Sequence, residues 1–91
     1  MDAEVGQWSA RRRRVNERVS AEQAHSVRIG LTELHDDALT LSQWALSINA
    51  KSGKIAANVF SGVSPDDMGK SVLELAALCH SFLESLDRRR D

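Results

Sequence analysis

The amino-acid sequence predicts an all-α fold, and three observations lead to that prediction. Apolar residues repeat with the spacing of three and four that is typical of amphipathic helices. Ser64 and Pro65 form a strong helix start signal in the second half of the chain. Only about four residues separate the two apolar patterns, so the helices should lie antiparallel. We therefore expect one domain, residues 1–91, built round a helical hairpin whose turn lies near Ser61 to Pro65.

The first helix of this hairpin is predicted to be long, covering about residues 21–60. Ser20 and Gln23 have the spacing of a capping box at its start, and Gly62 is its predicted end. We expect Gly30 and Gly53 to bend it. Its apolar or small residues alternate between spacings of four and three: Val27, Leu31, Leu34, Ala38, Leu41, Ala45, Ile48, Ser52, Ile55 and Val59.

The second helix is predicted over about residues 65–88. Asp66 and Asp67 follow the cap and the proline, where carboxylates interact favourably with the positive end of the helix dipole. Its end is expected to fray among Arg88 to Arg90. The apolar stripe of this helix consists of Met68, Val72, Leu75, Cys79, Phe82 and Leu86.

Residues 1–19 are predicted to form a basic N-terminal arm or a short, weaker helix. Val5, Trp8, Val15 and Val19 have nearly helical spacing, but Arg12 interrupts their stripe.

A mismatch in helix length predicts self-association. The first helix would be about 60 Å long and the second about 36 Å, at 1.5 Å per residue. Either residues 1–19 fold back over the uncovered part or a second copy covers it. We expect a homodimer completed as a helical bundle. The expected self-association residues are Val27, Leu31, Leu34, Ala38 and Leu41.

Composition narrows the class of protein. The net charge is −1, so no overall field draws the chain towards nucleic acid or an anionic membrane. No apolar run reaches the length of a membrane span, and we expect a cytoplasmic protein that does not bind a membrane. A single cysteine allows no internal disulfide. Because a chain this short buries only about 60 to 65% of its unfolded surface, a partner subunit is the remaining source of stability.

We find no pattern typical of catalysis, metal binding or cofactor binding, and we expect a protein that is not an enzyme. The three histidines, His25, His35 and His80, do not have the spacing of metal ligands. Cys79 lies in an apolar stripe, where a thiol behaves as a small hydrophobic group. His35, Asp36 and Asp37 point in different directions round a helix, so we interpret them as a solvated face.

Two short segments resemble known families. Ala24 to Arg28 is similar to the phospho-acceptor motif of histidine phosphotransfer domains, Ala-His-x-Leu-Lys-Gly. The resemblance implies that His25 carries a phosphoryl group in a dimer that completes a four-helix bundle, although Ile29 replaces the family's glycine. Phe60 to Gly62 resembles the Trp-x-Gly turn of small secreted hairpins, but no tyrosine is present for their export signal, and we do not pursue it.

The arginine block is the remaining functional signal. Its members are Arg11, Arg12, Arg13, Arg14 and Arg18. Such a block can contact the phosphates of nucleic acid or an acidic protein partner. The function predicted from the sequence is a non-enzymatic protein–protein interaction module, acting as an adaptor, inhibitor or regulatory subunit. A regulator that contacts nucleic acid through its arginines and a dimeric phosphotransfer protein are the alternatives.

Overall fold

The computed structural model describes residues 2–90, and over this range it contains helices and no strand. The helices are α1 (Asp2–Arg28), α2 (Glu33–Ala38), α3 (Leu41–Phe60) and α4 (Pro65–Arg90). The prediction of an all-α fold is confirmed.

The predicted start of a helix at Ser20 is wrong. Helix α1 passes through this position without interruption, so the segment before Ser20 belongs to the same helix. The sequence contains no proline before residue 65 and no glycine between Gly6 and Gly30. Arginine, alanine, glutamate and glutamine, which favour helices, fill much of that interval. A serine with capping spacing therefore does not end a helix that nothing else interrupts.

The single long helix predicted over residues 21–60 is also wrong, because the chain breaks at Gly30. Gly30 has a φ of +104°, a backbone conformation that other residues rarely adopt. The Leu31 amide donates to the Ser26 carbonyl at 2.9 Å and the Gly30 amide to the Val27 carbonyl at 3.1 Å. These two bonds form a Schellman motif, which ends α1.

Helices α2 and α3 each begin with a threonine cap. The Thr32 hydroxyl accepts a hydrogen bond from the His35 amide at 3.3 Å. The Thr40 hydroxyl accepts from the Gln43 amide at 3.1 Å, and the Gln43 side chain accepts from the Thr40 amide at 2.8 Å. This reciprocal pair is a complete capping box. Helix α3 then continues through Gly53 to Phe60.

Residues 61–64 connect α3 to α4. Gly62 has a φ of +76° and closes α3 with a second Schellman motif. The Ser64 hydroxyl accepts from the Asp67 amide at 3.2 Å, as the predicted cap requires. Helix α4 reaches Arg90, two residues beyond its predicted end.

Helix α4 is the centre of the fold, because α1, α2 and α3 all pack against it. The ring centroids of Trp44 and Phe82 lie 5.2 Å apart, and Lys51 pairs with Glu74 at 3.1 Å. These contacts show that α3 runs antiparallel to α4. Helix α1 runs parallel to α4: Val15 lies near the start of α4, and Gln23 donates to Ser81 at 3.2 Å further along it.

The buried core is small. Among residues 3–90, the buried apolar residues are Val19, Trp44 and Ala77. Trp44 is only 1% exposed, and its Nε1 has no hydrogen-bond partner among the described residues. The packed face of α3 therefore contains Trp44, while Leu41 and Ala45 of the predicted stripe are exposed.

Candidate interaction surfaces

The five residues predicted for self-association are all exposed, but they do not form one helical stripe. Val27 lies on α1, Leu31 in the connection after it, Leu34 and Ala38 on α2, and Leu41 at the start of α3. The break at Gly30 separates the first from the rest. Leu34 is the most exposed of the leucines, at 83%.

A more continuous apolar surface lies on the first half of α1. Val5, Trp8, Val15 and Val19 fall on one face of this helix, at 100° per residue. Val19 is buried near α4, whereas Val5, Trp8 and Val15 are 60%, 56% and 46% exposed. The face that packs on α4 thus continues past the start of α4, where nothing covers it among the described residues.

The segment of α1 that lies beyond the start of α4, residues 3–14, is called the α1 overhang. All of its side chains are exposed except Ala10, which is half-buried. The guanidinium of Arg12, which interrupts the apolar stripe, lies 5.2 Å from the centre of the Trp8 ring. This cation–π contact places the arginine over the tryptophan. Arg12 therefore adds to the apolar face and does not simply break it.

A groove lies at the base of the overhang, between α1 and the outer face of α4. It has a volume of about 400 Å³, and its walls include the apolar residues Val15, Val19, Met68, Val72 and Ala76, together with Arg18.

The same outer face continues along α4. Cys79 and Leu83 follow Val72 and Ala76 at helical spacing. Val72 and Leu83 are 47% and 59% exposed, and Cys79 is half-buried. We call the groove and this continuation, from Met68 to Leu83, the α4 outer face. The residues of the predicted apolar stripe of α4 therefore have different surroundings. Phe82 packs against Trp44, whereas Val72 lies on the outside.

The arginine block lies on α1, and every member of it is exposed. Arg11, Arg14 and Arg18 share one line along the helix, at spacings of three and four. The ion pairs formed by the described residues involve none of these five arginines.

The C-terminal arginines of α4 hold α2 in place, a role that the predicted fraying did not anticipate. Arg88 donates from Nε and Nη2 to the Asp37 carboxylate at 2.9 to 3.1 Å. The buried Ser85 donates to the same carboxylate at 2.8 Å. Arg89 donates to backbone carbonyls at the end of α2, including that of Leu39. Asp37 is exposed, as expected of a solvated face, but its carboxylate also joins α2 to α4, which the sequence did not predict.

This network shifts the acidity of its carboxylate. The hydrogen bonds from Arg88 and, secondly, Ser85 lower the pKa of Asp37 below its ordinary value of 3.8. The same contact raises the pKa of Arg88. The carboxylate therefore stays ionised, and its contacts fasten α2 to α4. Ser85 and Arg88, which donate to Asp37, both lie on α4. The network therefore joins α2 to α4 and has a structural role.

A second cavity, of about 280 Å³, lies between α1 and α3 above α4. His25 and Glu22 of α1 line it, with Lys51 of α3 and Glu74 of α4. Lys51 and Glu74 are paired with each other. His25 is exposed on α1, and its role as a phosphate carrier stays a prediction.

Within residues 2–90, no group of three or more histidine, cysteine, aspartate or glutamate side chains has an arrangement that could hold a metal ion. None of the four helices in that range has a stretch long and apolar enough to cross a membrane. Comparison with protein-family models, with curated proteins and with solved structures finds no match to this chain.

Proposed function

We propose that this chain is a non-enzymatic protein–protein interaction module that self-associates and acts as an adaptor, inhibitor or regulatory subunit. The observation that carries the proposal is the amount of surface left open. The chain exposes 6862 Å², whereas a compact monomer of this mass exposes about 5,200 Å². Its radius of gyration is 15.4 Å, compared with about 12 Å for a compact domain of this length.

The excess of exposed surface is about as large as the area that a protein–protein interface buries. It amounts to about 1,600 Å², and a standard interface covers about 800 Å² on each partner. Large apolar side chains lie on this open surface, including Trp8, Leu34 and Phe60. Each such side chain, when covered, contributes about 1.5 to 3 kcal/mol. Association therefore supplies stability that the small core does not.

A second copy is the simplest partner, because it is present wherever the chain is present. A protein of another kind remains an alternative occupant of the same surfaces. The proposal keeps the cytoplasmic setting predicted from the sequence.

Sedimentation equilibrium tests the proposal directly. We expect the wild-type chain to form a dimer between micromolar and millimolar concentration, with a melting temperature that rises with protein concentration. A monomer of 10.0 kDa throughout that range, with a constant melting temperature, would contradict self-association.

Contact with nucleic acid is the second candidate function, and the exposure of the five arginines favours it. Guanidinium groups that no neighbouring carboxylate engages are free to bind phosphates. The line formed by Arg11, Arg14 and Arg18 spans about 10 Å of helix. Arginines spaced over this length can contact the phosphates of one strand of a duplex.

Changing Arg11 to Arg14 together to alanine tests this candidate. Measured by fluorescence anisotropy on a random-sequence duplex, binding by the wild type should fall steeply with salt. The quadruple variant should lose at least tenfold in affinity and show a flatter salt dependence. A matched control changes the exposed Lys54 and Lys70 to alanine. Equal loss in the control, or no binding by the wild type, would remove nucleic acid from the proposal.

A further inference from the structure

The α1 overhang and the α4 outer face are complementary in shape. The overhang is a convex ridge that presents Val5 and Trp8, and the outer face begins as a groove at Met68 and Val72. Both surfaces belong to the same chain and lie on either side of Val15. A molecule that carries a ridge and its matching groove on one face can pair with itself about a two-fold axis.

The two surfaces also match in length. The overhang covers twelve residues, or about 18 Å of helix, and the outer face from Met68 to Leu83 covers about 22 Å. Because α1 and α4 run parallel, a second copy turned about an axis near Val15 sends its overhang back along the first copy's α4. Residues at equal distances from that axis then lie level with each other. Trp8 of one copy lies level with Ala76 of the other, and Val5 lies level with Cys79.

The contact between the two surfaces is apolar in character. The outer face presents Val72 and Leu83, and the overhang presents Val5 and Trp8. The acidic residues in the middle of α4 point to other sides of the helix: Glu74 pairs with Lys51 of α3, and Glu84 accepts a hydrogen bond from Gln23 of α1. Burial of these apolar side chains therefore supplies the free energy of such a contact.

We propose that the occupant of the α4 outer face is the α1 overhang of a second copy, in a symmetric dimer with its axis near Val15 and Met68. This inference rests on the proposed self-association and assigns its interface. The excess of exposed surface is large enough to supply both halves of such a contact on each copy. It places the interface at the opposite end of α1 from Val27, Leu31 and Leu34.

Single substitutions distinguish this interface from the others. Trp8→Asp and Val72→Asp should each raise the dimer dissociation constant at least tenfold in sedimentation equilibrium. Matched controls are Leu34→Asp on α2 and Leu46→Asp on α3, both at highly exposed leucines. The controls should leave the dissociation constant within twofold of wild type. Circular dichroism should show equal helical content in all four variants, because every changed side chain is exposed in the monomer.

A disulfide test is independent of these substitutions. Val5→Cys adds a second thiol to a chain whose native thiol is Cys79. Within one copy the two positions lie in opposite directions from Val15, about 30 Å apart along the helices, so they cannot bond to each other. Mild oxidation should yield a covalent dimer whose peptide map contains a disulfide between the introduced thiol and Cys79. The same change combined with Cys79→Ala should not yield that link, and Leu34→Cys is the control at a distant surface.

The outcomes separate the two proposals. A wild-type chain that stays monomeric overturns the proposed function and, with it, this interface. A wild-type dimer that Trp8→Asp and Val72→Asp leave intact overturns the interface alone. Dissociation by Leu34→Asp or Leu46→Asp with no effect of Trp8→Asp assigns the interface to α2 or α3 instead. A covalent dimer of the Val5→Cys variant in which the introduced thiol is not linked to Cys79 also overturns the arrangement.

Discussion

Asp37 illustrates how a single residue on a polar helix fastens one element to another. Its carboxylate accepts hydrogen bonds from Arg88 and Ser85, residues about fifty positions away. In the sequence, Asp37 follows His35 and Asp36, a pattern that is typical of a solvated face. The position of α2 over the end of α4 depends on the break at Gly30, and the sequence pattern did not reveal that break. The role of Asp37 could therefore not be predicted from its neighbours.

Acid titration tests this residue. The pKa of Asp37 in the folded chain lies below 3.8, its ordinary value. A carboxyl whose pKa is lowered by folding stabilises the fold above its unfolded pKa and stops doing so as the pH falls through the folded pKa. We expect Asp37→Asn to lower the melting temperature at pH 7, with a gap from wild type that closes below about pH 4.

The control for the titration is Glu17→Gln, which changes an exposed carboxylate of α1 that forms no ion pair with a described residue. It should leave the melting temperature almost unchanged at both pH values. Added salt should narrow the Asp37→Asn gap, because the contact with Arg88 is partly exposed and is screened. A gap of constant size from pH 7 to pH 2 would show that the amide disturbs packing and that charge contributes nothing.

At the scale of the element, two glycines in one predicted helix have opposite roles. Gly30 has a positive φ and ends α1, whereas Gly53 lies in the interior of α3. A Cβ at either position would meet no atom within 4 Å. Backbone conformation alone therefore separates them. The sequence contained signals of the break, namely Gly30 and the Thr40 capping box. The apolar residues on either side nevertheless keep the same spacing of three and four, as they would in one continuous helix.

Alanine at these two glycines should change stability in opposite directions. Gly30→Ala forces a non-glycine residue into a positive-φ conformation, so we expect the free energy of unfolding to fall by about 1 kcal/mol or more. Gly53→Ala improves helix propensity in α3 and should raise it by up to about 1 kcal/mol. Urea unfolding followed by circular dichroism measures both.

Gly62→Ala provides the matched control for the glycine pair, because Gly62 also has a positive φ. It should behave like Gly30→Ala. If Gly30→Ala stabilised the chain while Gly62→Ala destabilised it, α1 would continue past Gly30 in solution, as the apolar stripe alone predicts.

At the scale of the whole molecule, the sequence predicted the helical class and the connection near residues 61–64, because local signals determine both. It also predicted that the two helices joined there lie antiparallel, but it left open whether the N-terminal segment packs on them. An apolar stripe specifies that a helix is covered and does not specify by what, so Val5 and Trp8 looked like part of a weak arm. The prediction that Val27 and Leu31 are left uncovered depended on a continuous long helix. Once the chain breaks at Gly30, the uncovered segment lies at the other end of α1.

The central position of α4 determines the order in which the fold comes apart. Helices α1 and α3 both pack on α4 and scarcely on each other, so α1 can detach without loosening the α3–α4 pair. Closing α1 onto α4 also spans a longer stretch of chain than closing α3 onto it, which costs more loop entropy. Local opening should therefore begin at α1, with its amide protons exchanging faster than those of α3 and α4. The α3–α4 pair is the last part of the chain to lose its structure.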